Sequence, residues 1–139
     1  MNFKNSVILI TGASSGIGYQ LVKDLALEGA KLALLSRRIE LLDSLARDLK
    51  DQTIIHNYRC DVTNKVEVAE TISKVKKDFG KIDIAILNSG VAFRSSVLDY
   101  KSEEAEKTFN TNVLGAVYCI EQLLPDFISE KHGAIVGIS

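Results

Sequence analysis

Short apolar runs alternate along this chain with longer segments whose apolar residues recur every three or four positions. Residues 6–11 (SVILIT) are apolar without interruption, which predicts a strand covered on both faces. Residues 16–29 place Ile17, Leu21, Val22, Leu25 and Ala26 on one helical face, and Gly29 suits the end of that helix. Residues 31–35 (KLALL) predict a second strand, and 38–50 a helix striped by Leu42, Leu45, Ala46 and Leu49. A more polar third strand is expected over 53–59. A helix over 64–79 follows, with Val66, Ala69, Ile72, Val75 and Phe79 on its apolar face. Residues 82–87 (IDIAIL) read as a fourth strand. One long helix is expected over 103–128, turning Phe109, Val113, Ala116, Val117, Ile120 and Leu124 to the core, and 133–138 reads as a fifth strand.

Strands alternating with helices of this length define βαβ units and a parallel sheet. The expected fold class is α/β, a doubly wound parallel sheet open at its edges, formed as one domain over 1–139. In such sheets ligands bind beyond the carboxyl ends of the strands, near the point where strand order reverses. Chemistry is therefore sought after residues 11, 35, 59, 87 and 138.

Composition narrows the partners. With 17 basic and 18 acidic residues, and a net charge of −1, the chain offers no electrostatic case for nucleic acid or an anionic membrane. The five-residue apolar run near the N-terminus is too short for a signal peptide or a membrane span. Cys60 and Cys119 lie far apart and suggest reduced thiols and a cytoplasmic setting. His56 and His132 sit at no metal-ligand spacing, so no metal is expected.

The strand ends carry the candidate chemistry. After the first strand, TGASSGIG (11–18) sets Gly12, Gly16 and Gly18 between a strand and a helix. Glycines allow a tight turn and close backbone approach, and the helix N-terminus offers free N–H groups to a pyrophosphate. The spacing is G-x-x-x-G-x-G, and no G-K-[ST] follows to make a P-loop. After the second strand comes Ser36-Arg37-Arg38. An NAD site usually places an acid there for the ribose 2′-hydroxyl, whereas arginine suits the 2′-phosphate of NADP(H). A basic pair is also poorly placed for the helix dipole, which favours a ligand over a merely solvated helix start. Asp61, after the third strand, would accept from an adenine amine or cap the next helix. Asn88-Ser89-Gly90 makes a plausible turn against a ligand. Asn112 is a poor helix former inside the long helix, and its side chain needs a partner, structural or otherwise.

Taken together, TGASSGIG at 11–18, Asp61-Val62, NSG at 88–90, NTN at 110–112 and GAIVGIS at 133–139 resemble the short-chain dehydrogenase/reductase family in its compact form. The resemblance covers the entire chain in the family's order. It implies a Rossmann-like fold binding NAD(P). Gly12, Ser14, Ser15, Gly16, Ile17 and Gly18 would line the pyrophosphate and adenosine, Ser36, Arg37 and Arg38 the 2′-phosphate, Asp61 and Val62 the adenine, and Asn88 and Gly90 the ribose side. The family's NAG is NSG here. Asn112 matches the family's catalytic Asn, which holds the active-site lysine and a water. The resemblance further implies a small carbonyl or alcohol substrate and, for the full-length family form, a homo-oligomer.

The family's fifth strand ends in a pair of serines, the second of them catalytic. Strand alignment puts that serine one residue beyond Ser139, while spacing from Asn112 leaves Ser139 itself a candidate. The family's Tyr-x-x-x-Lys would lie beyond it, so the C-terminal part of the family fold is expected to be absent from these residues. Tyr19-Gln20-Leu21-Val22-Lys23 has the same spacing, but on the first helix it would serve the phosphate end or solvent. Two readings result. One is an NADP(H)-dependent oxidoreductase whose proton donor lies outside these residues. The other is a non-catalytic dinucleotide-binding domain.

Overall fold

The structure, a computed structural model, describes residues 3–93 and 96–139. The strands are β1 (Val7–Thr11), β2 (Lys31–Ser36), β3 (Ile55–Arg59), β4 (Ile84–Leu87) and β5 (Ala134–Gly137). They form one parallel sheet in the order β3-β2-β1-β4-β5. The chain starts in the middle, winds outward through β2 and β3, and crosses back to β4. Strand order therefore reverses between β1 and β4, and a crevice opens at their carboxyl ends.

Helices α1 (Gly16–Leu27) and α2 (Ile39–Leu49) cover one face of the sheet, and α3 (Lys65–Phe79) and α5 (Gly115–Glu130) the other. Alternation along each strand supplies both cores. Ile8 and Ile10 of β1 join Leu32 and Leu34 of β2 beneath α1 and α2, while Leu9, Ala33 and Leu35 point to α3 and α5. Helix α1 ends as Gly29 suggests: at φ +75° its N–H bonds to the Ala26 carbonyl and that of Ala30 to Leu25, the paired bonds of a Schellman turn.

Three expectations need correction. The long helix over 103–128 is broken. Helix α4 (Ser102–Phe109) runs into a π-helical turn, Asn110–Leu114, before α5 begins. Its expected apolar face is also rotated: Ala116 and Ile120 pack against the core as expected, but Phe109, Val113, Val117 and Leu124 are exposed, while Gly115, Cys119 and Leu123 are buried. The inserted turn changes the phase of the helix, and α5 carries apolar residues on more than one stripe. On α3 the core takes Val68, Thr71, Ile72 and Val75, leaving Val66 in solvent.

At the opposite end of the sheet, Asp83 ties three strands together. Its Oδ2 accepts the Val7 amide at 2.8 Å, and its backbone carbonyl accepts the Ala134 amide at 3.1 Å. Lys81 Nζ lies 2.6 Å and His132 Nε2 3.5 Å from Oδ1. Burial pushes this carboxyl up, but the Lys81 ammonium, the Val7 amide and His132 outweigh it and hold Asp83 below the usual aspartate value.

Candidate cofactor cleft

The crevice predicted by the strand reversal is a cavity of about 290 Å³ over the ends of β1, β2, β3 and β4. Gly12, Ser14, Ser15, Gly16, Ile17, Ser36, Arg37, Arg38, Asp61, Val62, Asn88 and Gly90 all line it. Of the residues expected to bind a cofactor, Gly18 alone does not line the cavity and lies buried behind it. A Cβ there would run into the Gly12 carbonyl oxygen and come within 2.6 Å of Asn88 Nδ2. Gly18 thus lets α1 close on its own turn. Gly12 has φ +64°, and its added Cβ would sit 2.9 Å from Ser89 Cα. Gly16 has φ +58° with open space beside it, so backbone alone faces the cleft at the start of α1.

The walls are tied by a small number of hydrogen bonds. Thr11 Oγ1, buried at the end of β1, accepts the amides of both Asn88 and Ser89 at 3.0 Å. Asn88 Nδ2 donates to the Gly12 carbonyl at 3.2 Å, so its side chain braces the glycine turn. Sequence reasoning passed over Thr11, although a buried hydroxyl at a strand end needs partners. Ser89, part of the turn expected against a ligand, lines the same cavity, as do Val91 and Thr111, to which the sequence assigned no role.

Across the cleft, Arg38 reaches over the glycine turn. Its Nη2 donates to Ser14 Oγ at 3.1 Å and to Ser15 Oγ at 2.8 Å. Arg37 lines the cavity as well, and no hydrogen bond or ion pair engages its guanidinium among the described residues. Asp61 does not cap α3. Asn64 does, accepting the amides of Val66 and Glu67, while Asp61 Oδ1 is held by the amide and hydroxyl of Thr63. Val62 is fixed from behind by Gly115, where a Cβ would meet Val62 Cγ2 at 2.8 Å. Cys60 borders the cavity but is only 2% exposed, and burial pushes its thiol up to about 11, so it stays protonated and unreactive.

Asn112 falls in the π-helical turn and is exposed, not buried. Both ends of its amide hold Val91, at the rim of the cleft. Ser139 follows β5, is exposed and does not line the cavity. Tyr19 and Lys23 lie outside it too, the ammonium 5.7 Å from the tyrosine ring centroid. Among the described residues no group of three or more His, Cys, Asp or Glu is placed to hold a metal, and no helix is long and apolar enough to cross a membrane.

A doubly wound sheet with a glycine turn at its switch point defines a nucleotide-binding class of α/β protein. The family described as short chain dehydrogenase matches residues 6–139, and the chain belongs to it. An uncharacterized oxidoreductase of Staphylococcus haemolyticus is 38% identical over 133 residues, covering 96% of this chain and 57% of the relative. The chain thus spans a little over half the length of that relative. Among solved structures, NAD+-bound xylitol dehydrogenase superposes with a TM-score of 0.92 at 32% identity, covering 99% of this chain and 54% of the other. Alcohol dehydrogenase from the archaeon Thermococcus sibiricus, complexed with 5-hydroxy-NADP, gives 0.88 at 28% identity, with coverages of 96% and 57%. One neighbour therefore holds an NAD form and the other an NADP analogue.

Proposed function

We propose that these residues form the cofactor-binding part of an NADP(H)-dependent oxidoreductase acting on a small carbonyl or alcohol. The observation that carries the reading is the chemistry of the cleft wall after β2. Ser36, Arg37 and Arg38 stand where an NAD site would present a carboxylate.

The donor set fits the cofactor. Gly12 and Gly16 at positive φ present backbone to the cleft, and the N-terminus of α1 directs its dipole there, as a pyrophosphate requires. Arg37 and Arg38 would take the 2′-phosphate. Asp61 keeps one carboxylate oxygen clear of Thr63 for an adenine amine, and Val62 offers an apolar face beside it. Asn88 acts on the ribose side by bracing the glycine turn, with Gly90 leaving room at the rim. When bound, the nicotinamide supplies or accepts a hydride. The chain's own contribution is to grip the phosphates and to order the rim at Val91 through Asn112.

The test is calorimetric titration with NADPH and NADH at fixed salt. Two charge-assisted contacts of about 1.5–3 kcal/mol each should favour NADPH clearly. Arg37→Asp should reverse the preference. Equal affinity of the wild type for both cofactors would refute the reading.

A further inference from the structure

We propose that Glu67, a residue outside the cleft, is a positioning residue for the base of the nucleotide: its carboxylate holds the Asp61 backbone so that Asp61 meets the adenine amine. The inference rests on the cofactor-binding reading above and deepens it.

Glu67 stands in the first turn of α3 and does not line the cavity. Asn64 caps this helix, its Oδ1 accepting the Glu67 amide at 3.2 Å. A cap residue with a glutamate three positions on is the pattern of a capping box, in which the glutamate reaches back to the amide of the cap. Here that amide is already taken, because Asn64 N–H donates to the Asp61 carbonyl at 3.0 Å. Glu67 reaches further back instead, and its Oε1 accepts the Asp61 N–H at 3.1 Å. The start of α3 thus grips the Asp61 backbone by both its N–H and its carbonyl.

The Asp61 side chain is fixed from the same direction. Its Oδ1 accepts the Thr63 amide at 3.0 Å and the Thr63 hydroxyl at 2.8 Å. Neither bond uses Oδ2, and Asp61 lines the cleft, so Oδ2 is the acceptor that an amine would meet. Glu67 also pairs with Arg59 at 3.7 Å, but the arginine side chain is 67% exposed and the pair contributes little. Without the Glu67 oxygen, the Asp61 N–H loses its partner, and the turn between β3 and α3 rests on Asn64 and Thr63. Recognition of the amine should then weaken, while the phosphate end of the cleft, built on the glycine turn, is untouched.

The experiment is isothermal titration of the full chain with ADP and with purine riboside 5′-diphosphate, which lacks the 6-amine and is otherwise the same. Neither ligand carries a 2′-phosphate, so the choice between NADP(H) and NAD(H) does not enter. Wild type should prefer ADP by about tenfold, the effect of one hydrogen bond to a charged acceptor. Glu67→Ala should bring that preference below about threefold, chiefly by weakening ADP. Glu67→Gln keeps an oxygen for the Asp61 N–H and drops the charge. It should return the preference to within about twofold of wild type. A steady affinity for the amine-free ligand in both variants reports an intact cleft. A preference that survives Glu67→Ala, equal weakening of both ligands, or a Glu67→Gln that behaves as Glu67→Ala would overturn the proposal. Wild type that binds the two ligands equally would remove Asp61 from adenine recognition, and the proposal with it. Wild type that binds neither would refute the cofactor-binding reading itself.

Discussion

Asn112 clasps the backbone of Val91 with both ends of its side-chain amide: Oδ1 accepts the Val91 N–H at 2.8 Å, and Nδ2 donates to the Val91 carbonyl at 3.0 Å. The clasp joins the π-helical turn between α4 and α5 to the loop that leaves β4. A π-turn is a rare feature that is frequent at functional sites, and here it carries the residue that holds the rim of the cleft.

Removing the clasp should therefore loosen the rim more than the core. Asn112→Ala is expected to lower stability by about 1–2 kcal/mol in urea unfolding, since two exposed hydrogen bonds go. Asn112→Asp is the sharper variant. Aspartate keeps an acceptor for the Val91 N–H but sets a second oxygen against the Val91 carbonyl, so it should restore little of the loss at neutral pH. Wild-type amide exchange at Val91 in both variants would show that the loop does not depend on Asn112.

The glycines separate fold from binding. Gly18→Ala drives a Cβ into the Gly12 carbonyl, part of the turn itself, and into the Asn88 side chain that braces it. It should destabilise the protein by about 1–3 kcal/mol, as overpacking does. Gly16→Ala meets open space but sits at φ +58°, which costs about 1–2 kcal/mol and puts a methyl where backbone faced the cleft. Its cofactor affinity should fall further than that of a Leu27 variant of equal stability, because Leu27 is exposed at the far end of α1. Matched affinities at matched stability would mean that the turn does not meet the ligand.

Asp83 makes stability depend on acid. Its carboxyl is held below the usual aspartate value in the folded chain, so its contribution is present above the unfolded value, near 4, and is lost as pH falls through the lower folded value. Asp83→Ala removes the acceptor of the buried Val7 amide as well as the partner of Lys81. It should cost about 1–3 kcal/mol at pH 7 and flatten the acid limb of the stability curve. An acid limb of wild-type steepness in the variant would assign that pH dependence to other carboxylates.

The sheet was legible because its evidence is local. Runs such as VILIT and KLALL, short and bounded by turn residues, read as strands buried on both faces, and their alternation with helical segments favours parallel pairing. The glycine turn was legible because positive φ and close approach single out glycine. The break between α4 and α5 was not, because it accompanies a tertiary bond to Val91, 21 positions away. Nor was the buried stripe of α5: Val113 and Val117 are as apolar as Cys119 and Leu123, and only the phase set by the π-turn decides between them. The same limit hid the reach of Arg38. Two adjacent arginines look alike in sequence, and only the structure shows Arg38 across the turn on Ser14 and Ser15.

Tyr19 and Lys23 make up the one Tyr-x-x-x-Lys among the 139 residues, and they sit on α1 outside the cleft, on each other's side chains and in solvent. Cys60 borders the cleft, but burial pushes its thiol up to about 11 and it is only 2% exposed, so it is no proton donor to a ligand there. A positioned general acid commonly contributes about 10²–10⁴ in rate. These 139 residues alone are therefore expected to bind NADPH yet to reduce no ketone or aldehyde at a measurable rate. Tyr19→Phe should leave NADPH affinity within about twofold, the change expected for a surface hydroxyl that makes no cleft contact. The assay is NADPH oxidation, read by absorbance against a panel of carbonyl compounds. Turnover that disappears in Tyr19→Phe would make that tyrosine the acid after all. Turnover that survives the substitution would require another proton donor within the chain.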